Sequence, residues 1–196
     1  MGFKKVAFVK DNFSSALLHY KSTSEKAGSA FIAELLKEAF EKFNLFENKQ
    51  DIHILSDGGS ENKGDVLSWV KNTCAERSRS VVAPPIVKKL TAMTDDCLFS
   101  NAMSESTHKI YKTDFMNGEI SEDIASHLQS LENFMDYFGN QRYPCRLYGK
   151  TPNEILSGQI IDKHIFTETL KQAKVDRAEA NRKFNQCLSK LGCKAS

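Results

Sequence analysis

Two acidic residues stand in settings that suit chemistry on a phosphodiester. Asp57 follows the short apolar run Ile52-His53-Ile54-Leu55 and opens the turn Ser56-Asp57-Gly58-Gly59-Ser60-Glu61-Asn62. That is the pattern of a strand delivering an acid to a tight glycine turn. Glu105 closes Ser100-Asn101-Ala102-Met103-Ser104-Glu105, just ahead of His108, Lys109 and Lys112. On a helix Lys109 and Lys112 share the face of Glu105, and His108 lies close to it. Magnesium binds through one or two carboxylates, keeping several waters and taking phosphate oxygens from the substrate. Two such ions can hold the attacking and leaving oxygens of an in-line displacement. Cations beside the second acid would hold DNA phosphates against the metals. Each signal also has an ordinary reading. Asp-Gly-Gly is a common turn, and Glu with Lys four residues on is a common solvated helix pair.

These residues need elements to carry them. Val6-Ala7-Phe8-Val9 reads as a strand ending at Lys10-Asp11-Asn12, and Ser15 to Tyr20 as a second strand forming a hairpin with it. Ser22-Thr23-Ser24-Glu25 reads as a capping box. The helix expected after it carries Phe31, Ile32, Leu35, Leu36, Ala39, Phe40 and Phe43 at helical spacing, with Glu38 to Lys42 as a favourable pair, and ends near Asn44. After the glycine turn, Val66, Leu67, Val70 and Cys74 share a helical face, with Trp69 near its edge as a core residue. Val81-Val82-Ala83 reads as a short strand stopped by Pro84-Pro85. Ile86 to Thr91 has no decisive pattern. Ala102 to Lys112 reads as helix. Ile124, Leu128, Leu131 and Met135 mark another amphipathic helix, ending at Gly139. Thr151 is expected to cap a short turn with Pro152 at its first position. From about Lys163 the tail reads as one long helix carrying Lys171, Lys174, Arg177, Arg182 and Lys183 but few apolar anchors. The order of elements predicts an α/β layer protein.

Bulk properties narrow the class. With 196 residues, of which 40% are hydrophobic, the chain can bury a core. The net charge of +2 does not by itself announce nucleic acid, so a basic surface has to be local. The five cysteines, Cys74, Cys97, Cys145, Cys187 and Cys193, are odd in number and show no C-x-x-C spacing. That argues against a zinc knuckle or a disulfide framework and for reduced thiols in a cytosolic protein. No run approaches membrane-spanning length, and the start of the chain lacks the apolar core of a signal peptide.

Taken together, four segments in the same order resemble the integrase-type catalytic core of insertion-sequence transposases, the DDE group related to retroviral integrases. The turn at Asp57 is similar to the family's D-N-G-S-E element. Ser100 to Lys112 is similar to its S-N-A/S-M-x-E-x-x-x-K-x-x-K helix. Tyr137 to Pro144, followed by Leu147-Tyr148-Gly149-Lys150-Thr151-Pro152-Asn153-Glu154, resembles its Y-N-x-x-R-P and L-x-G-x-T-P-x-E segments. Phe3 to Ser14 resembles its "viDnfSr" hairpin. The match covers roughly residues 3–157. It implies an RNase H-like mixed sheet flanked by helices over residues 1–157, with a basic helical tail over 158–196. It also implies Mg²⁺ or Mn²⁺, and cleavage and transfer of DNA strands at transposon ends and target. Asp57 and Glu105 would be catalytic and metal-binding. Lys109, Lys112, Arg142 and Lys150 would contact DNA. Partners would be DNA and further transposase chains, in a bacterial, cytoplasmic, nucleoid-associated setting with no membrane association.

Two departures shape the expectation. The interval from Asp57 to Glu105 is longer than the group's usual spacing, with the extra residues expected around Arg77 to Pro85. The family's first catalytic acid sits on a "hiDvT"-like strand upstream of the hairpin, and the sequence has no counterpart to it before Met1. Asp11 matches a position that is not the catalytic one and is expected to cap a turn. The core is therefore expected to lack its first strand. The alternative function is that of a catalytically dead remnant that binds DNA or full-length transposase.

Overall fold

The computed structural model of the chain describes residues 5–48, 50–77, 86–95, 97–98, 101–116 and 123–190. The short strand expected at Val81-Val82-Ala83 lies outside them. The chain divides into two units, Met1–Gln141 and Arg142–Ser196.

In the first unit, β1 (Lys5–Lys10) and β2 (Leu17–Thr23) form an antiparallel hairpin with Val6 opposite Ser22 and Phe8 opposite Tyr20. Val9 pairs with His19 but Lys10 pairs with Leu17, so Leu18 is an extra residue on β2. This bulge reverses the side-chain alternation, and Leu17 thereby reaches the same core cluster as Tyr20. Asp11 does cap the turn: its Oδ2 accepts from the Ser14 amide at 2.7 Å and from the Ser14 hydroxyl at 2.5 Å. Ser15 takes a left-handed conformation (φ 66°). These turn bonds explain why β2 begins two residues after the patterning suggested.

The expected capping box is overturned. Ser22 and Thr23 are tied into the ladder opposite Val6 and Lys5. The Ser22 hydroxyl bonds His127 Nε2 at 2.9 Å instead. Helix α1 (Ser29–Lys42) begins seven residues later behind Gly28, and the Ser29 hydroxyl bonds Asp65. Leu35, Leu36, Ala39 and Phe40 form its buried stripe, as the spacing predicts. Glu38 does not pair with Lys42. It reaches across to β2, 2.7 Å from Lys21 and 3.1 Å from His19. Burial would push its carboxyl up, but the hydrogen bonds from Lys21 and His19 outweigh that and hold it below its usual value.

β3 (Ile52–Ser56) is followed by a short 3₁₀ turn at Ser60–Asn62 and helix α2 (Asp65–Arg77). The ambiguous stretch after Ile86 is β4 (Val87–Thr91), which pairs with β3 in parallel from Ile52–Val87 to Ser56–Thr91. Phe40, Val70 and Val87 make the core here, with Ile52, Ile54 and Trp69 packed against them. Trp69 meets Phe40 edge-on at 4.9 Å, which bears out its place in the core.

Helix α3 (Ala102–Lys109) widens into a π-helical segment at Ile110–Phe115, and α4 (Ile124–Asp136) does the same at Tyr137–Gln141. Asp123 caps α4 by accepting from the Ser126 amide at 2.7 Å. The expected face of α4 holds in part: Leu131 is buried and Met135 packs on the core, but the stripe is rotated at its start. Ile124 is 64% exposed and Leu128 42%, whereas His127, Leu131, Phe134 and Phe138 are buried. A histidine heads the true stripe because it has the Ser22 hydroxyl as partner, which apolar spacing alone does not reveal. Leu17, Tyr111, Leu131, Phe134 and Phe138 form the larger core, and Phe8 packs on it at 5.6 Å from Phe134.

In the second unit, Thr151 and Glu154 form the capping box of α5 (Pro152–Leu156), with the Thr151 amide 2.7 Å from Glu154 Oε2. Helix α6 (Thr167–Lys190) follows. The expected anchors Ile165, Phe166, Leu170, Val175 and Phe184 are all exposed. Among the described residues no helix is long and apolar enough to cross a membrane. The chain is thus a mixed α/β protein, with one small antiparallel and one small parallel sheet among the described residues.

Candidate active site

Asp57 sits immediately beyond the carboxyl end of β3, where ligands gather in α/β sheets. Its own turn holds it. Asp57 Oδ1 accepts from the Gly59 amide at 3.0 Å and from Asn62 Nδ2 at 2.8 Å. Oδ2 makes no hydrogen bond among the described residues, and the carboxylate is exposed. Gly59 lets the Glu61 carboxylate lie close over the turn. A Cβ there would stand 2.6 Å from Glu61 Oε1, because the Glu61 side chain folds back over the turn. Gly64 adopts φ +50°, which lets the chain turn into α2.

Two neighbours of Asp57 do not follow from the sequence pattern. Glu61 brings a second carboxylate onto the same turn. Lys89 comes from β4, whose parallel pairing sets it opposite Ile54. Burial pushes the Lys89 ammonium below its ordinary value; the Asp57 carboxylate opposes that shift and Lys63 adds to it. The alternation in Val87-Lys88-Lys89-Leu90-Thr91 would have exposed Lys89 as a neighbour once the strand was paired with β3.

Glu105 lies in the first turn of α3, exposed, its amide donating to the Asn101 carbonyl at 3.1 Å. A carboxylate at that end is also favoured by the helix dipole. Lys109 is exposed in the last turn. Lys112 falls in the π segment, where the wider turn carries it off the line that an unbroken α-helix would draw through Glu105 and Lys109. His108 is turned inward, its ring 5.2 Å from that of Phe8. Burial, and after it the charge of Lys112, lowers the pKa of this imidazole. Lys10, at the end of β1, fixes α3 in place by donating to the Thr107 hydroxyl at 3.0 Å and the Met103 carbonyl at 3.3 Å.

Asp57 and Glu105 therefore stand on separate elements, one after the parallel pair and one on a helix packed against the hairpin. Among the described residues no hydrogen bond or ion pair joins them, and no three His, Cys, Asp or Glu side chains gather as a metal-binding group. Arg142 and Lys150 belong to the second unit, both half-buried, with Lys150 near Glu154.

No known protein-family model matches the chain, and no curated protein sequence matches it.

Proposed function

We propose that this chain is a transposase-type catalytic core of the DDE group, acting on DNA phosphodiesters. The observation that carries the reading is the state of Asp57. It stands at the mouth of a parallel strand pair, with one oxygen tethered by its own turn and the other left over. Glu105 adds an exposed carboxylate beside Lys109. Two exposed carboxylates are the hard oxygen donors that Mg²⁺ or Mn²⁺ prefers, with water and substrate phosphate completing the shell. When bound, such an ion supplies charge stabilisation to the phosphate under attack. The chain's own part is to bind and orient. Lys109 and Lys112, with Arg142 and Lys150, would hold phosphates of the DNA. In the cleavage step a water oxygen bonds to phosphorus and the bond from phosphorus to O3′ breaks, leaving a 3′ hydroxyl. In joining, that hydroxyl takes the place of water.

A second reading has its own support. Among the described residues the four strands fall into two separate two-stranded sheets. An RNase H-like core would unite such pairs through a central strand. On this reading the chain binds DNA or full-length transposase and does not cleave.

The test uses purified chain, end-mimicking DNA and Mn²⁺, alongside Asp57→Ala and Glu105→Ala. Cleavage by the parent that is lost in both variants supports the catalytic reading. A gel shift without cleavage, unchanged in the variants, supports the second reading. Neither cleavage nor a gel shift overturns both.

A further inference from the structure

Helix α6 carries an apolar stripe that its own unit leaves in water. Phe166, Leu170, Ala173, Arg177, Ala180 and Phe184 recur in alternating steps of four and three residues, which puts them on one narrow face. Phe166, immediately ahead of the helix, is used within the unit. Its ring lies 3.1 Å from where a Cβ on Gly149 would stand, which ties the start of the helix to the turn before α5. Further along, Leu170 is 61% exposed and Phe184 64%. Val175 lies on the opposite face. The helix is otherwise held by short-range polar contacts: Lys171 to Glu168 at 2.7 Å, Gln172 to Asp176 at 2.8 Å, and Arg177 Nε to the Ala173 carbonyl at 3.0 Å. Exposed contacts of this kind are weak, and a 24-residue helix gains most of its stability from covering its apolar face.

The same stripe on a second copy can cover it, and the flanking charges choose the arrangement. Asp176 and Lys183 border the stripe on one side, Lys174 and Asn181 on the other. Two parallel copies in register would stack Arg177 on Arg177 in the middle of the seam. Two antiparallel copies whose midpoints coincide, between Ala178 and Glu179, overlap from end to end. In that register Ala173 faces Phe184 of the second copy and Arg177 faces Ala180, a small residue against a large one, and each layer occurs twice. Asp176 then lies beside Lys183 of the second copy, also twice. A slip of one heptad destroys this match in either direction. One slip sets Asp176 against Asp176 and Lys174 against Lys174, and the other sets Lys183 against Lys183. Like charges facing each other exclude those alternatives.

We propose that α6 pairs antiparallel with α6 of a second copy of this chain, in the end-to-end register, and makes the protein a two-fold symmetric dimer. Such a contact uses the same surface on both copies, so it closes at two and does not grow into a filament. The Arg177 stem lies over Ala180 of the second copy while its charged head reaches water at the border of the seam. One charged residue within an apolar seam lowers its stability but fixes its register. This inference goes beyond the proposed function and does not rest on it, since no residue of the Asp57 or Glu105 surroundings takes part.

The test is sedimentation equilibrium of the full chain over a wide concentration range, without DNA or metal. The parent is expected to move from its 22.1 kDa monomer to twice that mass. Asp176→Lys and Lys183→Asp should each weaken association roughly tenfold, because both symmetry-related contacts change from attraction to repulsion. The double variant Asp176→Lys/Lys183→Asp restores opposite charges and should recover the parent's association. An equimolar mixture of the two single variants should recover it as well, since their heterodimer has both contacts matched. Phe184→Ala should weaken association without unfolding the chain, which circular dichroism checks. A parent that stays monomeric throughout overturns the proposal. So does association that ignores the charge exchanges, or that the double variant and the mixture fail to recover, because a parallel or slipped pair does not bring Asp176 to Lys183. A gel shift with end-mimicking DNA, run separately, reports on the functional reading alone.

Discussion

The hairpin layer and the Asp57 turn are built on opposite principles. Around β1, β2, α3 and α4, stability comes from aromatic packing. Phe134 and Phe138 are fully buried, and Phe134 touches Phe8, Tyr111, Phe115 and Phe138 at centroid distances of 4.9–5.6 Å. Around Asp57 the chain is exposed and is shaped by short polar bonds to Gly59 and Asn62. The first region can lose little without a large cost. The second can exchange side chains at small cost to the fold, which is what a site that must meet a ligand requires.

The largest effect separating the two should come from Phe134→Ala. Removing a ring with neighbours on all sides should cost about 3–5 kcal/mol. Asp57→Ala, which touches hydrogen bonds at an exposed turn, should cost about 1 kcal/mol or less. Urea denaturation of both variants checks this, and equal losses would break the contrast.

A smaller change of opposite sign is expected within the aromatic layer. The Tyr111 hydroxyl is buried and has no hydrogen-bond partner among the described residues. Burial also pushes its pKa up. Tyr111→Phe removes a desolvated group with little change in shape and should raise stability by about 1 kcal/mol. A lower denaturation midpoint would mean the hydroxyl has a partner.

The smallest effect is one of pH. His108 titrates below its ordinary 6.5 in the folded chain because it is buried against Phe8 and lies near Lys112. As pH falls through 6.5, the unfolded chain takes up the proton first, so stability present above that value is lost as pH drops further through the folded value. His108→Gln should flatten the pH dependence of the thermal midpoint between pH 7 and 5. An unchanged slope would assign that dependence to other groups.

Much of the architecture was legible because it is local. The hairpin, α1, the strand into Asp57 and the Thr151–Glu154 cap each follow from residues a few positions apart. Where readings failed, a distant partner had intervened. Ser22 went to the ladder and to His127 instead of capping a helix. Glu38 turned to β2 and left Lys42. The stripe of α4 rotated to bury His127 and Phe138, leaving Ile124 outside. At the site, Asp57, Glu105, Lys109 and Lys112 could be named from spacing. Lys89 could not, since it becomes a neighbour through strand pairing alone.

By itself, then, the sequence determined the hairpin strands, β3 and the helical segments, though not β4, and that an acid ends β3 in a glycine turn, because these depend on side-chain period and turn chemistry. Tertiary structure alone decided that β4 runs parallel to β3 and that, among the described residues, the strands divide into two pairs. Backbone hydrogen bonds between strands join residues far apart in the chain, and no local pattern records which edges find a partner.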